Sequence, residues 1–355
     1  MDPLGRTLAR VIRRCYGARA MERLKAAIVG CGRMARWHGA AAARAGVDVR
    51  GVVDRDFERA QRFCKTVRGA RAYRSLDELL DARAIDALHV CTPPESHEAI
   101  ASTAIAAGVH VLAEKPLATT AAATERLATA ARQQNVLLCP VHQYLLQRGY
   151  GRSRAWLGGA GQLRSIEMTI CSAGAGGGSE TRRDALLAEV LPHPLSIIHD
   201  LVGATISSAQ WNATRVSPGE LRVLGRAGET AIQISVSTSA RPTESSLLLR
   251  LSGGTVHVDF FHGYAFFEPG DVSRMRKLLS PFDQSVRRGV SAGANLAGRL
   301  WHRDWAYPGL RPLVEAFYDA VRSHALPPVT TDAAIAIARA RDELLDLVGI
   351  DRCGS

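Results

Sequence analysis

Ala26-Ala27-Ile28-Val29-Gly30-Cys31-Gly32-Arg33-Met34-Ala35 is the stretch that decides the fold. A short apolar run enters a glycine pair, and a helical pattern leaves it from Arg33 to about Ala45. The first glycine permits a tight turn. The second lets backbone approach a pyrophosphate, and Ala35 lets helix and strand pack closely. The helix N-terminus adds free amides and the positive end of a dipole. Asp54 ends the next predicted strand, 49–54, where its carboxylate can accept hydrogen bonds from a ribose diol. That favours NAD. Arg55 beside it could instead embrace a 2′-phosphate, which keeps NADP open. A glycine turn with a solvated aspartate is the bland alternative.

The alternation continues outward from this turn. Helix is predicted over 57–66, and Ser75 with Glu78 reads as a helix start. Strand 85–91 is broken by Pro93-Pro94; helix 96–107, strand 109–113, helix 120–133 and strand 136–141 follow. Such βαβ alternation implies a parallel sheet with helices on both faces, and ligands at the C-terminal edge of its strands. Glu114-Lys115-Pro116 and Cys91-Thr92-Pro93-Pro94 fall at that edge. An ammonium fixed there is what hydride chemistry on an alcohol or ketone needs. Thr92 and Pro93 would face the ribose and nicotinamide side, or serve only as a strand terminator.

After about residue 148 the texture changes. Segments 163–171, 232–239, 247–251 and 255–261 read as strands joined by Gly, Pro and Ser, which suggests an α+β unit with a mostly antiparallel sheet. Gly174 to Gly178 reads as a flexible loop, 280–305 as basic and poorly patterned, and 312–324 and 331–348 as helices. The expected organisation is a basic amphipathic arm over 1–23, a Rossmann domain over 24–147 and an α+β substrate and oligomerisation domain over 148–355. The arm's Leu4, Leu8, Val11, Ile12, Cys15 and Tyr16 share one helical stripe, with Arg6, Arg10, Arg13 and Arg14 elsewhere. It reads as a surface helix for a partner, a subunit or an anionic membrane, as a disordered arm, or as sequence upstream of a start at Met21.

The chain's 355 residues suffice for two cores. The longest stretches without a charged residue, such as Ala99 to Ala113, are too short for a membrane span. No signal peptide is legible. Seven cysteines without a CxxC pair suggest neither a disulfide framework nor a metal site, and imply a reduced, cytoplasmic protein. The net charge is +11, but the basic residues are spread along the chain and no nucleic-acid-binding signature accompanies them. A solvated basic surface suited to anionic substrates is the expectation.

Gly30-Cys31-Gly32-Arg33-Met34-Ala35 with His38, Thr92-Pro93-Pro94 with His97, and Glu114-Lys115-Pro116 together resemble the Gfo/Idh/MocA family of glucose–fructose oxidoreductase and inositol dehydrogenase. Glu189-x-x-x-His193 before Gly203 extends the likeness, as do Tyr307-Pro308-Gly309, Phe317-Tyr318 and Pro327-Pro328-Val329. The resemblance covers residues 24 to 350. It implies NAD(P) on the Rossmann domain and a second domain whose open sheet floors the substrate site and mediates homodimers or homotetramers. It also implies that Lys115 contacts nicotinamide and substrate, that His193 is an acid/base and that Glu189 assists it. Imidazole, with a pKa near 6.5, suits a carbinol proton, and Lys115 can hold the oxygen as charge develops. If 189–193 is helical, Glu189 and His193 share a face, and the carboxylate could orient the imidazole and raise its pKa.

Three residues depart from the family pattern: Glu189 stands for Asp, Leu191 for Gly and Ser196 for a second Asp. His142-Gln143-Tyr144 stands where Asn-Arg is usual. The candidate catalytic residues are therefore Lys115, His193 and Glu189. The candidate cofactor contacts are Gly30, Cys31, Gly32, Arg33, Met34, Asp54, Arg55, Thr92, Pro93, His97, Glu114 and Lys115, with His142 toward substrate. The expected activity is hydride transfer on a secondary alcohol or ketone of a sugar, nucleotide sugar or polyol. The alternative is a non-catalytic dinucleotide-binding sensor or interaction protein on the same fold.

Overall fold

Six short strands of mostly small and β-branched residues build the first sheet: β1 (Lys25–Val29), β2 (Asp48–Val53), β3 (Arg71–Tyr73), β4 (Ala87–Val90), β5 (His110–Ala113) and β6 (Leu138–Pro140). The structure, a computed structural model, describes residues 23–82, 84–172, 178–270, 273–302 and 306–351. The arm pattern over 1–20 and most of the Gly174–Gly178 loop lie outside those residues. The strands pair in parallel in the order β3-β2-β1-β4-β5-β6. Between them run α1 (Ala35–Arg44), α2 (Phe57–Cys64), α3 (Leu76–Ala82), α4 (His97–Ala106) and α5 (Ala121–Gln133). The start predicted at Ser75 is a reciprocal cap: Glu78 N–H donates to Ser75 Oγ at 3.1 Å, and Arg74 N–H donates to the Glu78 carboxylate at 2.7 Å. The order reverses between β1 and β4, so a crevice opens beyond their C-terminal ends.

Beyond α6 (Arg148–Leu157) a second sheet holds seven strands: β7 (Leu163–Cys171), β8 (Gln210–Ser217), β9 (Glu220–Ala227), β10 (Thr230–Ser237), β11 (Glu244–Leu251), β12 (Gly254–Asp259) and β13 (Tyr264–Pro269). Their order is β13-β12-β11-β7-β10-β9-β8, antiparallel except for β7 with β10. Strict alternation buries one face: Ile166, Met168, Ile232, Ile234, Val236, Leu247 and Leu249 point into one core. That core is closed by α7 (Glu180–Val190), α8 (Pro192–Val202) and the last helix. The helical run 180–208 has the length and hydropathy of a membrane span, yet its Leu187, Leu191, Leu195, Ile197 and Ile198 are buried in this core.

The structure differs from the sequence expectation in several places. Strands β3, β8, β9 and β13 and helices α6, α7 and α8 were not read as elements. β3 has only three residues and β8 only exposed or half-buried ones, so their apolar signal is thin. The segment expected to be poorly patterned is mostly one 29-residue helix, α9 (Arg274–His302). Finally, α10 (Leu310–Ser323) returns to the first sheet, where Leu313, Val314, Phe317 and Tyr318 share a core with Ala41 and Ala42 of α1. The last helix, α11 (Thr331–Leu347), closes the second core and reaches back to the first sheet: buried Arg341 donates to the carbonyls of Ala118 and Thr119 at 3.1 and 2.7 Å. Asp342 accepts the Ala121 N–H at 2.7 Å.

Candidate functional site

The glycine turn sits where the crevice opens. Gly30 has φ +90°, and a Cβ there would lie 2.8 Å from the Cys91 backbone, so both its conformation and its neighbour demand glycine. At Gly32 a Cβ would meet nothing within 4 Å: the turn faces open space. Helix α1 then starts with no side-chain cap, leaving its first amides for a ligand. Asp54 is buried at the end of β2; its carboxylate accepts the amides of Cys31 at 2.8 Å and Asp56 at 2.9 Å. Two carboxylate oxygens still have lone pairs for a diol. Arg59 approaches Asp54 at 3.9 Å, and both Arg55 and Arg59 line the cleft. These residues fit a dinucleotide: a wide turn, free amides, a diol acceptor, and two arginines able to meet a 2′-phosphate.

The cleft encloses about 990 Å³ and runs from this turn past Thr92, Pro93 and Glu114 to Lys115, Glu189 and His193. Lys115 Nζ donates to the main-chain carbonyl of Glu189 at 2.8 Å, joining the first sheet to the last turn of α7 where α8 takes over. Burial, helped by Arg33, brings its pKa below the usual lysine value against the pull of Glu114 and Glu189. His193 is half-buried in the cleft wall and its Nδ1 has no hydrogen-bond partner. Burial first, then Lys115 and His142, hold its pKa well below the ordinary histidine value, so the imidazole is neutral. Its ring stacks on Tyr144 at 4.4 Å, and Tyr144 stacks on Phe260 at 4.6 Å. Tyr144 is held in turn by the Ser245 hydroxyl at 3.1 Å.

Behind Lys115 lies a buried polar chain. His38 Nε2 meets the Glu114 carboxylate at 3.0 Å, His38 Nδ1 meets His89 Nδ1 at 2.8 Å, and His89 Nε2 meets the Tyr318 hydroxyl at 2.6 Å. Burial opposes charge on His38, but the Cys91 sulfur and the Glu114 carboxylate raise its pKa to about 10. Burial and the neighbouring His38 charge keep His89 neutral. Glu114 is thus an ionised partner of an imidazolium, with its pKa lowered by that hydrogen bond against the effect of burial.

Several sequence expectations need correction. His142 does not line the cleft; it is buried on the far side, near Pro116, Leu117 and Pro192, and its Nδ1 finds no partner. Burial and Lys115 lower its pKa to about 3. Gln143, its neighbour, faces the cleft. The Glu189 carboxylate does not orient His193: it turns to Arg182 at 3.5 Å, and the imidazole pKa falls rather than rises. The cause is local, because α7 ends at Val190 and Pro192 begins α8, so the two residues sit on different helices. His97 is buried, with its nitrogens on the Pro116 and Thr92 carbonyls at 2.8 Å each; it ties the two cleft loops together and makes no wall of the cleft. Cys31 presents its amide to Asp54, and burial then Asp54 raise its thiol pKa to about 12. Arg59, Gln143, Arg182 and Tyr307 line the cleft without having been singled out as site residues. Tyr307 carried a signal through its Tyr-Pro-Gly motif, and Gln143 through the His142-Gln143-Tyr144 departure. Among the described residues no group of His, Cys, Asp or Glu is placed to hold a metal ion.

Residues 24–142 match the model of an oxidoreductase family with an NAD-binding Rossmann fold, Gfo/Idh/MocA. Over 142 residues the chain is 32% identical to UDP-N-acetylglucosamine 3-dehydrogenase of Acidithiobacillus ferrooxidans, which covers 38% of this chain and 44% of that protein. The chain thus matches less than half the length of that relative. Two solved structures are similar in fold. The WlbA dehydrogenase of Bordetella pertussis, in complex with NADH and UDP-GlcNAcA, superposes with a TM-score of 0.71 at 18% identity, covering 91% of this chain and 96% of its own. KijD10, a 3-ketoreductase from Actinomadura kijaniata in complex with NADP and TDP-benzene, gives 0.71 at 19% identity over 92% and 98%.

Proposed function

From the match of residues 24–142 to the NAD-binding Rossmann model of the Gfo/Idh/MocA oxidoreductases, we propose that the chain transfers hydride between NAD(P) and a secondary alcohol or ketone of a sugar-like substrate, a nucleotide sugar first among them. The observation that carries this is the convergence of Lys115 and His193 on one cleft with the glycine turn. When bound, the nicotinamide supplies the hydride acceptor or donor. Gly32 leaves room for the pyrophosphate, the α1 amides meet its charge and Asp54 takes the ribose hydroxyls. His193, neutral, takes the carbinol proton at a ring nitrogen during oxidation and returns it during reduction. Lys115 holds the reacting oxygen as negative charge grows on it; its own hydrogen bond goes to a neutral carbonyl, so its charge remains available. The names of the relatives support a nucleotide-sugar substrate, and so do Arg33 and Arg182 in the cleft wall, which suit a diphosphate.

Titration with NADH and NADPH, followed by turnover of a panel of UDP- and TDP-linked sugars with free sugars and polyols as controls, tests the reading. Cofactor binding with oxidation or reduction of a nucleotide sugar is expected. Tight cofactor binding without turnover of any panel member would contradict it.

A further inference from the structure

Helix α9 is amphipathic in the reverse of the usual sense. Its polar residues dock on the protein. Ser291 Oγ donates to the Ala265 carbonyl at 2.6 Å, Asn295 Nδ2 to the His262 carbonyl at 2.8 Å, Arg288 Nε to the Tyr264 hydroxyl at 3.0 Å, and Gln284 to Glu268. Its apolar residues point away: Phe282 is 73% exposed and Trp301 86%, with Val286, Val290, Leu296 and Leu300 also exposed. No side chain described in this helix is buried. At 29 residues the helix is about 43 Å long. Phe261, exposed in the turn that Asn295 and Arg299 grip at His262, adds another outward ring. A water-facing helix normally has the opposite arrangement, and an apolar patch of this extent marks an interaction surface.

Charge decides what covers it. The helix carries six cations (Arg274, Arg276, Lys277, Arg287, Arg288 and Arg299) against one anion, Asp283, in a chain of net charge +11. A second copy seated on this face would bring two helices of like net charge together, since a two-fold contact pairs a patch with itself. The chain's own residues 1–20 are cationic as well. An anionic lipid surface complements both properties: it takes Phe, Leu and Trp at the acyl boundary, and its negative potential attracts the net positive charge of the helix and of the chain.

We propose that α9 lies in the surface of an anionic membrane, apolar face down, and docks the protein there while the cleft stays in water. The test is flotation of the full-length protein with vesicles of phosphatidylglycerol and phosphatidylcholine, or of phosphatidylcholine alone, at low and high salt. The wild type is expected to float with the anionic vesicles at least about tenfold better than with the neutral ones, and high salt should release it. Phe282→Glu combined with Trp301→Glu should lower the bound fraction about tenfold while leaving the NADH titration unchanged, which shows that the variant is folded. A wild type that ignores anionic vesicles overturns the proposal, and so does a double variant that floats as well as the wild type. Should the wild type ignore vesicles and form an oligomer that the two substitutions dissociate, the face belongs to a second copy.

Discussion

At Lys115 the partner that matters is a main-chain oxygen. A carbonyl orients the ammonium without neutralising it, so Glu189 supplies its backbone while its carboxylate faces Arg182. Glu189→Gln is therefore expected to leave turnover within about fivefold of wild type, since a half-exposed ion pair contributes ~1 kcal/mol or less. Steady-state kinetics with the best nucleotide sugar checks it. His193 is set by stacking. Tyr144→Ala should lower kcat by ten- to about a hundredfold with a small change in KM, because a misplaced ring loses alignment. Tyr144→Phe, which keeps the stack, should recover most of the loss. Of the two proposed reacting side chains, Lys115 was legible because its motif follows a predicted strand, and His193 through the likeness of its segment to the family pattern. The Tyr144–Phe260 stack was not, because it joins a turn of the first half to a strand end of the second. Arg182 and Arg59 were hidden by sheer number, being two of many arginines without a pattern.

At the scale of elements, the glycine turn makes two opposite predictions. Gly30→Ala meets a φ of +90° and the Cys91 backbone, so the protein should lose at least ~1–2 kcal/mol of stability, read as a fall in the urea midpoint. Gly32→Ala meets nothing, so stability should hold within ~0.5 kcal/mol while NADH affinity drops tenfold or more as the methyl enters the pyrophosphate's space. Strands and helices of the first sheet were readable from residue 25 to 141, except the three-residue β3, because most are bounded by Gly, Pro or a cap. The second sheet was readable where buried and open positions alternate, as in β7, β10, β11 and β12. Its β8 edge shows mostly exposed and half-buried residues, and the periodicity of α9 was obscured by its glycines, serines and arginines.

For the whole molecule, stability is tied to the site through buried groups. Arg341, 2% exposed, pairs with Asp342 and holds the 118–119 carbonyls just beyond Lys115. Arg341→Leu strips the buried Asp342 carboxylate of its arginine and should destabilise by ~3–5 kcal/mol in chemical denaturation. Stability should also depend on pH from both sides. His142, held at about 3 when folded, contributes stability that is complete above its unfolded value of 6.5 and is lost as pH falls toward 3. His38, raised to about 10, contributes stability that is complete below 6.5 and is lost as pH rises toward 10. Denaturation midpoints should therefore peak near pH 6.5, and His38→Gln should flatten the alkaline limb. The central claim is that Lys115 from one unit and His193 from the other act on one substrate held against NAD(P). Its most direct measurement is NAD(P)H affinity and turnover of Lys115→Met on a nucleotide sugar that the wild type converts. The account predicts affinity within about threefold of wild type and turnover down by about a thousandfold or more; turnover close to wild type would contradict it.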